Sequence, residues 1–162
     1  MINASGLHTE DVANMIEEIN LPKIKTVMYA KGHYYLYKKK NPFKHLIYPL
    51  PNSNGHGIHA GMDIENNLRF GPNAKWVDSI EYSFDENTLD EFCNSIKSYW
   101  INFDPSCLTP DYTGIRSKIV AEGEGSQDFE ILDASDHGLE NLIHLQAVSY
   151  THLRAHETRH DI

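Results

Sequence analysis

Two side chains near the middle of the chain have the chemistry to grip a small acid and take a proton from it. His59, in Gly57-Ile58-His59-Ala60, is an imidazole that titrates near neutrality and can accept a hydroxyl proton. Arg116, in Gly114-Ile115-Arg116-Ser117-Lys118, offers a planar, permanently charged fork that matches a carboxylate. On residue pattern alone Arg116 reads as a surface or structural arginine, and one histidine among ten carries little weight. Tyr48 and Tyr112 could line a pocket through their hydroxyls, but packing in an aromatic-rich core is the favoured reading. His33, His45 and His56 read as ordinary surface or strand residues. At the C-terminus, His156-Glu157-Thr158-Arg159-His160 is a literal H-E-x-x-H with His152 one turn earlier. On a helix these histidines would share a face and could bind zinc, with the glutamate as general base. There is little apolar material around them to bury such a helix, so no metal is assigned and only adventitious binding by an exposed tail is expected.

The elements that must position these residues follow from periodicity. Met1 to Gly6 reads as the end of a buried strand entering a small-residue turn, and its strand neighbours must come from elsewhere. Thr9 is the expected N-cap of a helix over Glu10–Ile19, with Val12, Met15, Ile16 and Ile19 on one face and Pro22 ending it. Thr26–Tyr29, Gly32–Lys38 and His45–Pro51 have strand composition, the last bounded by Pro49 and Pro51. Asn52–Gly55 is a loop. Gly57–Asp63 and Leu68–Phe70 flank Ile64-Glu65-Asn66-Asn67 and predict a hairpin. A second helix is expected from about Glu86 to Ile101, capped by Asp85, with Leu89, Phe92, Cys93, Ile96, Tyr99 and Trp100 as its core stripe. Asp104-Pro105 and Thr109-Pro110 punctuate a loop. Strands follow at Gly114–Ala121 and Asp128–Leu132 around the flexible loop Glu122–Ser126. The fold class is α+β, with an antiparallel or mixed sheet and one long helix.

Composition sets the outer limits. A chain of 162 residues, 40% hydrophobic and 23% charged, suffices for a compact soluble fold with a real core. No apolar run reaches the length of a membrane span, and no signal peptide is visible. The net charge of −9 and the isolated Lys38-Lys39-Lys40 and Lys44 cluster argue against a nucleic-acid partner; the lysines read as a solvated strand end and turn. Cys93 and Cys107 have no metal or redox spacing and point to a reducing, cytoplasmic compartment. No G-x-G-x-x-G occurs, and Gly123-x-Gly125 lacks the third glycine and a following helix.

Six segments, forming four motifs in one consistent order, carry a family likeness. Ile2-Asn3-Ala4-Ser5-Gly6 resembles the strand-turn-helix at which flavoenzymes of the D-amino-acid-oxidase type set small residues against the flavin; Ser5 is a mild departure. Lys31-Gly32-His33-Tyr34-Tyr35 and His45-Leu46-Ile47-Tyr48-Pro49-Leu50-Pro51 resemble the first substrate-domain strands of the L-2-hydroxyglutarate dehydrogenase group. Gly57-Ile58-His59-Ala60 with Arg69-Phe70-Gly71-Pro72-Asn73-Ala74 resembles that group's hairpin. Pro110-Asp111-Tyr112-Thr113-Gly114-Ile115-Arg116-Ser117-Lys118 resembles its Gly-Ile-Arg segment, with Ser117 in place of proline.

The resemblance implies FAD as cofactor and oxidation of a 2-hydroxy acid, or of an amine or amino acid, by hydride transfer to the flavin. A binding module without flavin is the remaining alternative. It implies His59 as the base and Arg116 as the carboxylate anchor. Tyr112 and Tyr48 would line the substrate site, and Asn3, Ala4, Ser5, Gly6 and Lys118 would face the cofactor. It implies a remnant of the flavin domain at 1–22, a substrate domain at 23–120 and a partial return to the flavin domain at 121–145. From Gln146 onward the chain resembles translated sequencing-adapter DNA, so 146–162 is expected to be a non-native tail and the chain an inactive piece of a longer enzyme. Oxygen or a quinone would be the electron acceptor, and a quinone brings peripheral membrane contact.

Overall fold

A computed structural model describes residues 1–17, 24–50, 57–120 and 128–147. In chain order its regular elements are β1 (Ile2–Asn3), α1 (Thr9–Asn14), β2 (Met28–Tyr37), β3 (His59–Met62), β4 (Leu68–Gly71), β5 (Lys75–Val77), α2 (Leu89–Tyr99), β6 (Leu108–Lys118), β7 (Glu130–Leu132), α3 (Ala134–His137) and β8 (Ile143–Gln146). The strands form a three-stranded sheet in the order β1-β8-β7 and a five-stranded sheet in the order β3-β4-β2-β5, with β6 also on β2. This is the α+β class expected from the sequence. Among the described residues, no helix is long and apolar enough to cross a membrane. The chain divides into two compact units, one of residues 1–30, 76–80 and 116–162, the other of residues 31–75 and 81–115.

The second unit is built on aromatic packing. Tyr35, Tyr37, Leu68 and Phe70 of the sheet meet Phe92, Cys93 and Ile96 of α2, with Phe103 and Trp100 closing the end. The helix stripe read from the sequence supplies the buried contacts, and Asp85 accepts from the Asn87 N–H at 3.0 Å as the expected cap. Leu89 and Tyr99 are less buried than expected; the Tyr99 hydroxyl donates to the Ile58 carbonyl at 3.2 Å, and burial pushes its pKa up. The hairpin forms where predicted. Asp63 organises its turn, accepting from the Glu65 N–H at 2.9 Å, the Asn67 N–H at 2.8 Å and the Asn67 side-chain amide at 2.9 Å.

Two segments that looked like separate signals are one packing unit. Gly32 lies so close to the Gly71-Pro72 segment that a Cβ there would sit 2.6 Å from the Pro72 Cβ. Beside it, the Asn73 Oδ1 accepts both the His33 backbone N–H at 2.9 Å and His33 Nδ1–H at 3.0 Å. His33 is a strand residue, on β2, but fully buried rather than at the surface, with Nδ1 as its protonated nitrogen.

Several expectations need correction. The strands at 26–29 and 32–38 are a single ten-residue β2. His45–Pro51 makes no strand within the described residues; it touches the sheet through one bridge, Ile47 to Ala60. Thr109-Pro110 is not loop but lies at the start of β6, which among the described residues pairs with β2 alone and so tolerates a residue without an N–H. Thr9 is inside α1 rather than its cap, and its hydroxyl reaches the Leu145 carbonyl at 3.4 Å. Met15, expected on the apolar face, is 78% exposed, while Ala13 is buried against Leu142. Ile19, Pro22, Asn52–Gly55, His56 and Glu122–Ser126 lie outside the described residues.

In the first unit, β1 finds its neighbour within the chain: it runs parallel to β8, with Ile2 opposite Ile143 and Asn3 opposite His144. Gln146, assigned to the tail by sequence, ends β8. It is fully buried, donating to the Lys25 carbonyl at 2.6 Å and accepting from the Lys25 N–H at 3.1 Å. Residues 148–162, with the H-E-x-x-H motif and His152, lie outside the described residues. α3 is a short helix missed by periodicity and closed by an Asp133/Asp136 capping box.

Burial holds the imidazoles of His33 and His144 below their ordinary pKa; in His33 the bond to Asn73 opposes this, and in His144 the nearby His137 adds to it. The unfolded chain takes up these protons near pH 6.5 while the fold resists them, so stability falls as pH drops below about 6.5, by up to about 1.4 kcal/mol per pH unit for each proton excluded. Asp63 and Asp85 are held at about 2, from an ordinary value of 3.8, and do not act in this window. Urea midpoints are expected to decline from pH 7.5 to 5.5; a profile that is flat or rises toward acid would contradict the two buried neutral imidazoles. Gly32→Ala is expected to cost about 1–3 kcal/mol by overpacking against Pro72, measured by the same denaturation; wild-type stability in that variant would refute the contact.

Candidate functional site

The hairpin that packs the aromatic core with one face carries a cleft on the other. Alternation along β3 puts Ala60 on the core side and His59, Gly61 and Asp63 on the opposite side. Across the pairing, His59 faces Gly71 and Gly61 faces Arg69. The two glycines leave this face without side chains between His59 and Arg69. The nearest atoms to a Cβ on Gly61 would be 4.0 Å away, so the space is open. Around this floor stand Tyr34, Met62 and Tyr112, and the cleft holds about 200 Å³.

Its walls are held by defined contacts. Tyr34 and Tyr112 stack at 4.5 Å between ring centres with planes 16° apart, and Tyr48 stacks on His59 at 4.6 Å and 21°. Arg69 donates through Nη1 to Asp63 and through Nε to Asp111, so a half-buried guanidinium ties the hairpin to β6. Asp63 sits well below the usual carboxylate range, at about 2, first because Asn67 donates to it from side chain and backbone, then through Arg69. Burial raises the Tyr112 hydroxyl pKa, with Arg69 opposing.

The sequence-selected residues fall as follows. His59 and Tyr112 line the same cleft. Tyr48 adjoins it through the His59 ring. Core packing does not hold for the two tyrosines: Tyr48 is 58% exposed and Tyr112 47%. Arg116 is exposed and Lys118 half-buried on the last residues of β6, which belong to the other unit, and neither lines this cleft. Sequence reasoning missed Arg69, Asp63 and Asp111. The available signal was the alternation His59-x-Gly61-x-Asp63 set against Arg69-x-Gly71, which puts one charged and one small residue on each strand of the same face.

The opening turn has its own geometry. Asn3 is buried; its Oδ1 accepts from the Ser5 N–H at 3.3 Å and the Ser5 hydroxyl at 2.6 Å, and its Nδ2 contacts the Thr9 carbonyl and His144 Nδ1, each at 3.0 Å. Ala4 is exposed, and Ser5 and Gly6 are half-buried. Gly6 adopts φ +61°, and nothing lies within 4 Å of the Cβ it lacks. A flat ring could approach this backbone closely, as an isoalloxazine requires. Among the described residues, no three His, Cys, Asp or Glu side chains cluster as a metal site.

The family model described as FAD dependent oxidoreductase matches residues 1–151. The L-2-hydroxyglutarate dehydrogenase, mitochondrial, of Arabidopsis thaliana is 26% identical over 157 residues, covering 90% of this chain and 32% of the relative. The chain thus spans about a third of that relative's length. With the family match running through nearly the whole sequence, this chain belongs to the FAD-dependent oxidoreductases, and FAD is its cofactor.

Proposed function

We propose that the chain supplies the substrate-facing side of an enzyme that oxidises L-2-hydroxyglutarate or a related 2-hydroxy acid. The observation that carries this reading is the placement of His59 in a cleft left open at Gly61, on the one hairpin face that does not pack the core. FAD, when bound, accepts the hydride released from the α-carbon. His59 takes the hydroxyl proton as that bond breaks, with the stacked Tyr48 ring restricting the imidazole plane. Arg116 is the proposed carboxylate anchor on the strength of its Gly-Ile-Arg segment and its bidentate fork; it does not line the cleft. Tyr112, stacked on Tyr34, walls the cleft against water and presents its hydroxyl to the substrate. Asn3, Ala4, Ser5 and Gly6 let the cofactor ring approach the backbone, and Lys118 balances charge beside it. The chain contains no G-x-G-x-x-G, the turn that would cradle the pyrophosphate of FAD. Oxygen or a quinone would accept the electrons from the reduced cofactor, and a quinone would bring peripheral membrane contact.

The full-length protein carrying this chain is expected to lose its visible flavin absorbance on anaerobic mixing with L-2-hydroxyglutarate. His59→Gln is expected to slow that reduction about 10²–10⁴-fold with flavin retained. Arg116→Ala is expected to weaken acid binding about a hundredfold, the scale of a charge-assisted pair. Stopped-flow absorbance reads both. Failure of every 2-hydroxy acid to reduce the flavin, or an unchanged rate in His59→Gln, would overturn the assignment.

A further inference from the structure

The opening turn, Asn3 to Gly6, is held from behind by a buried chain of hydrogen bonds whose direction is fixed. At one end of the Asn3 amide, Oδ1 accepts the Ser5 N–H at 3.3 Å and the Ser5 hydroxyl at 2.6 Å. At the other end, Nδ2 donates to the Thr9 carbonyl at 3.0 Å. A backbone N–H can only donate and a carbonyl can only accept, so the amide has one orientation. Its second hydrogen is left for His144 Nδ1, 3.0 Å from Nδ2, which must therefore accept. The ring proton of neutral His144 then sits on Nε2, which is buried and has no partner among the described residues. Strand register keeps the pair together, because Asn3 on β1 lies opposite His144 on β8.

A second proton on this ring would set Nδ1–H against the Asn3 N–H. The amide cannot flip to accept it without losing both Ser5 and Thr9. The surroundings offer an imidazolium no counter-charge. Against His144, β1 presents Asn3, α1 Thr9, β7 Leu132 and α3 His137, and of these only His137 titrates. The acidic groups on these elements are turned to other partners: Glu10 to the Val27 N–H, Asp11 to His8, Glu130 to Lys25, and Asp133 and Asp136 to their capping box. Burial first, and then His137, hold the His144 pKa below its ordinary value.

We infer that His144 is a positioning residue for the cofactor: by accepting from Asn3 it fixes the amide that holds Ser5, and so keeps the opening turn in the shape a flat ring can approach. The contact is a latch that is closed at neutral pH and opens in acid, as the folded ring gains its second proton. This inference rests on reading Asn3, Ala4, Ser5 and Gly6 as facing FAD.

FAD binding by the full-length protein tests it, followed by visible absorbance as the apoprotein is titrated. Wild-type affinity is expected to hold at neutral pH and to fall as pH drops below about 6.5. His144→Phe fills the space without an acceptor and is expected to weaken FAD about tenfold at neutral pH, the scale of one buried donor left unpaired. His144→Asn keeps an acceptor in the place of Nδ1 but takes up no proton. It is expected to restore wild-type affinity at neutral pH and to lose less of it in acid. Ala4→Trp, which crowds the exposed side of the turn, is expected to abolish FAD binding. Wild-type affinity in His144→Phe, or an acid loss as steep in His144→Asn as in the wild type, overturns the inference while Ala4→Trp still blocks FAD. Undiminished FAD binding by Ala4→Trp overturns the reading of the turn and this inference with it.

Discussion

The two-residue period of the β3–β4 hairpin is the constraint on which the site depends. One face must bury Ala60, Leu68 and Phe70 in the aromatic core, and this fixes the register against β2 through Tyr35 opposite Phe70. Once that face is spoken for, His59, Gly61, Gly71 and Arg69 have no choice but to share the other. A slip by one residue would bury the charges and expose the aromatics, so core packing enforces the chemistry of a face it never touches. Gly61 then leaves the strand surface open beside the imidazole and the guanidinium, while at Gly71 a side chain would run into the His33 carbonyl and the Tyr34 ring.

Asp63 works on two scales at once. Locally its carboxylate closes the hairpin turn by collecting N–H donors from Glu65 and Asn67, and Asn66 adopts the positive φ that such a turn demands. At longer range it anchors Arg69 and, through it, Asp111 of β6. The same ionised group thus holds the loop that shapes the cleft and sets much of the field inside it, so the shape and charge of this site cannot be varied independently at this position.

What could be read from the sequence was what is locally written. The α2 stripe with its Asp85 cap and the hairpin around Asn66-Asn67 depend on residues close together in the chain, and so does each family-like segment taken by itself. Arg69 was invisible as a site residue because what positions it, Asp111, lies 42 residues away. β6 was misread at Pro110 because a proline signals a break unless the strand lies at an edge, and edge position is a tertiary fact. Residue type favours core packing for Tyr48 and Tyr112 and the resemblance puts them at the substrate site; their rings spend their apolar area on stacking partners at the surface. The β1 strand seemed to need an outside neighbour because β8, its partner, carries no strand signal strong enough to announce itself.

That β1–β8 pairing has a consequence for how the chain must assemble. Asn3 and His144 are 141 residues apart, and the two strands between which they bond are two and four residues long. So short a pairing recovers little free energy when it closes so long a loop, and the entropy of closure is the larger quantity until the intervening chain has collapsed. The aromatic core between residues 35 and 108, whose contacts are far more local, is the natural nucleus, and the parallel pair is the last seam to close.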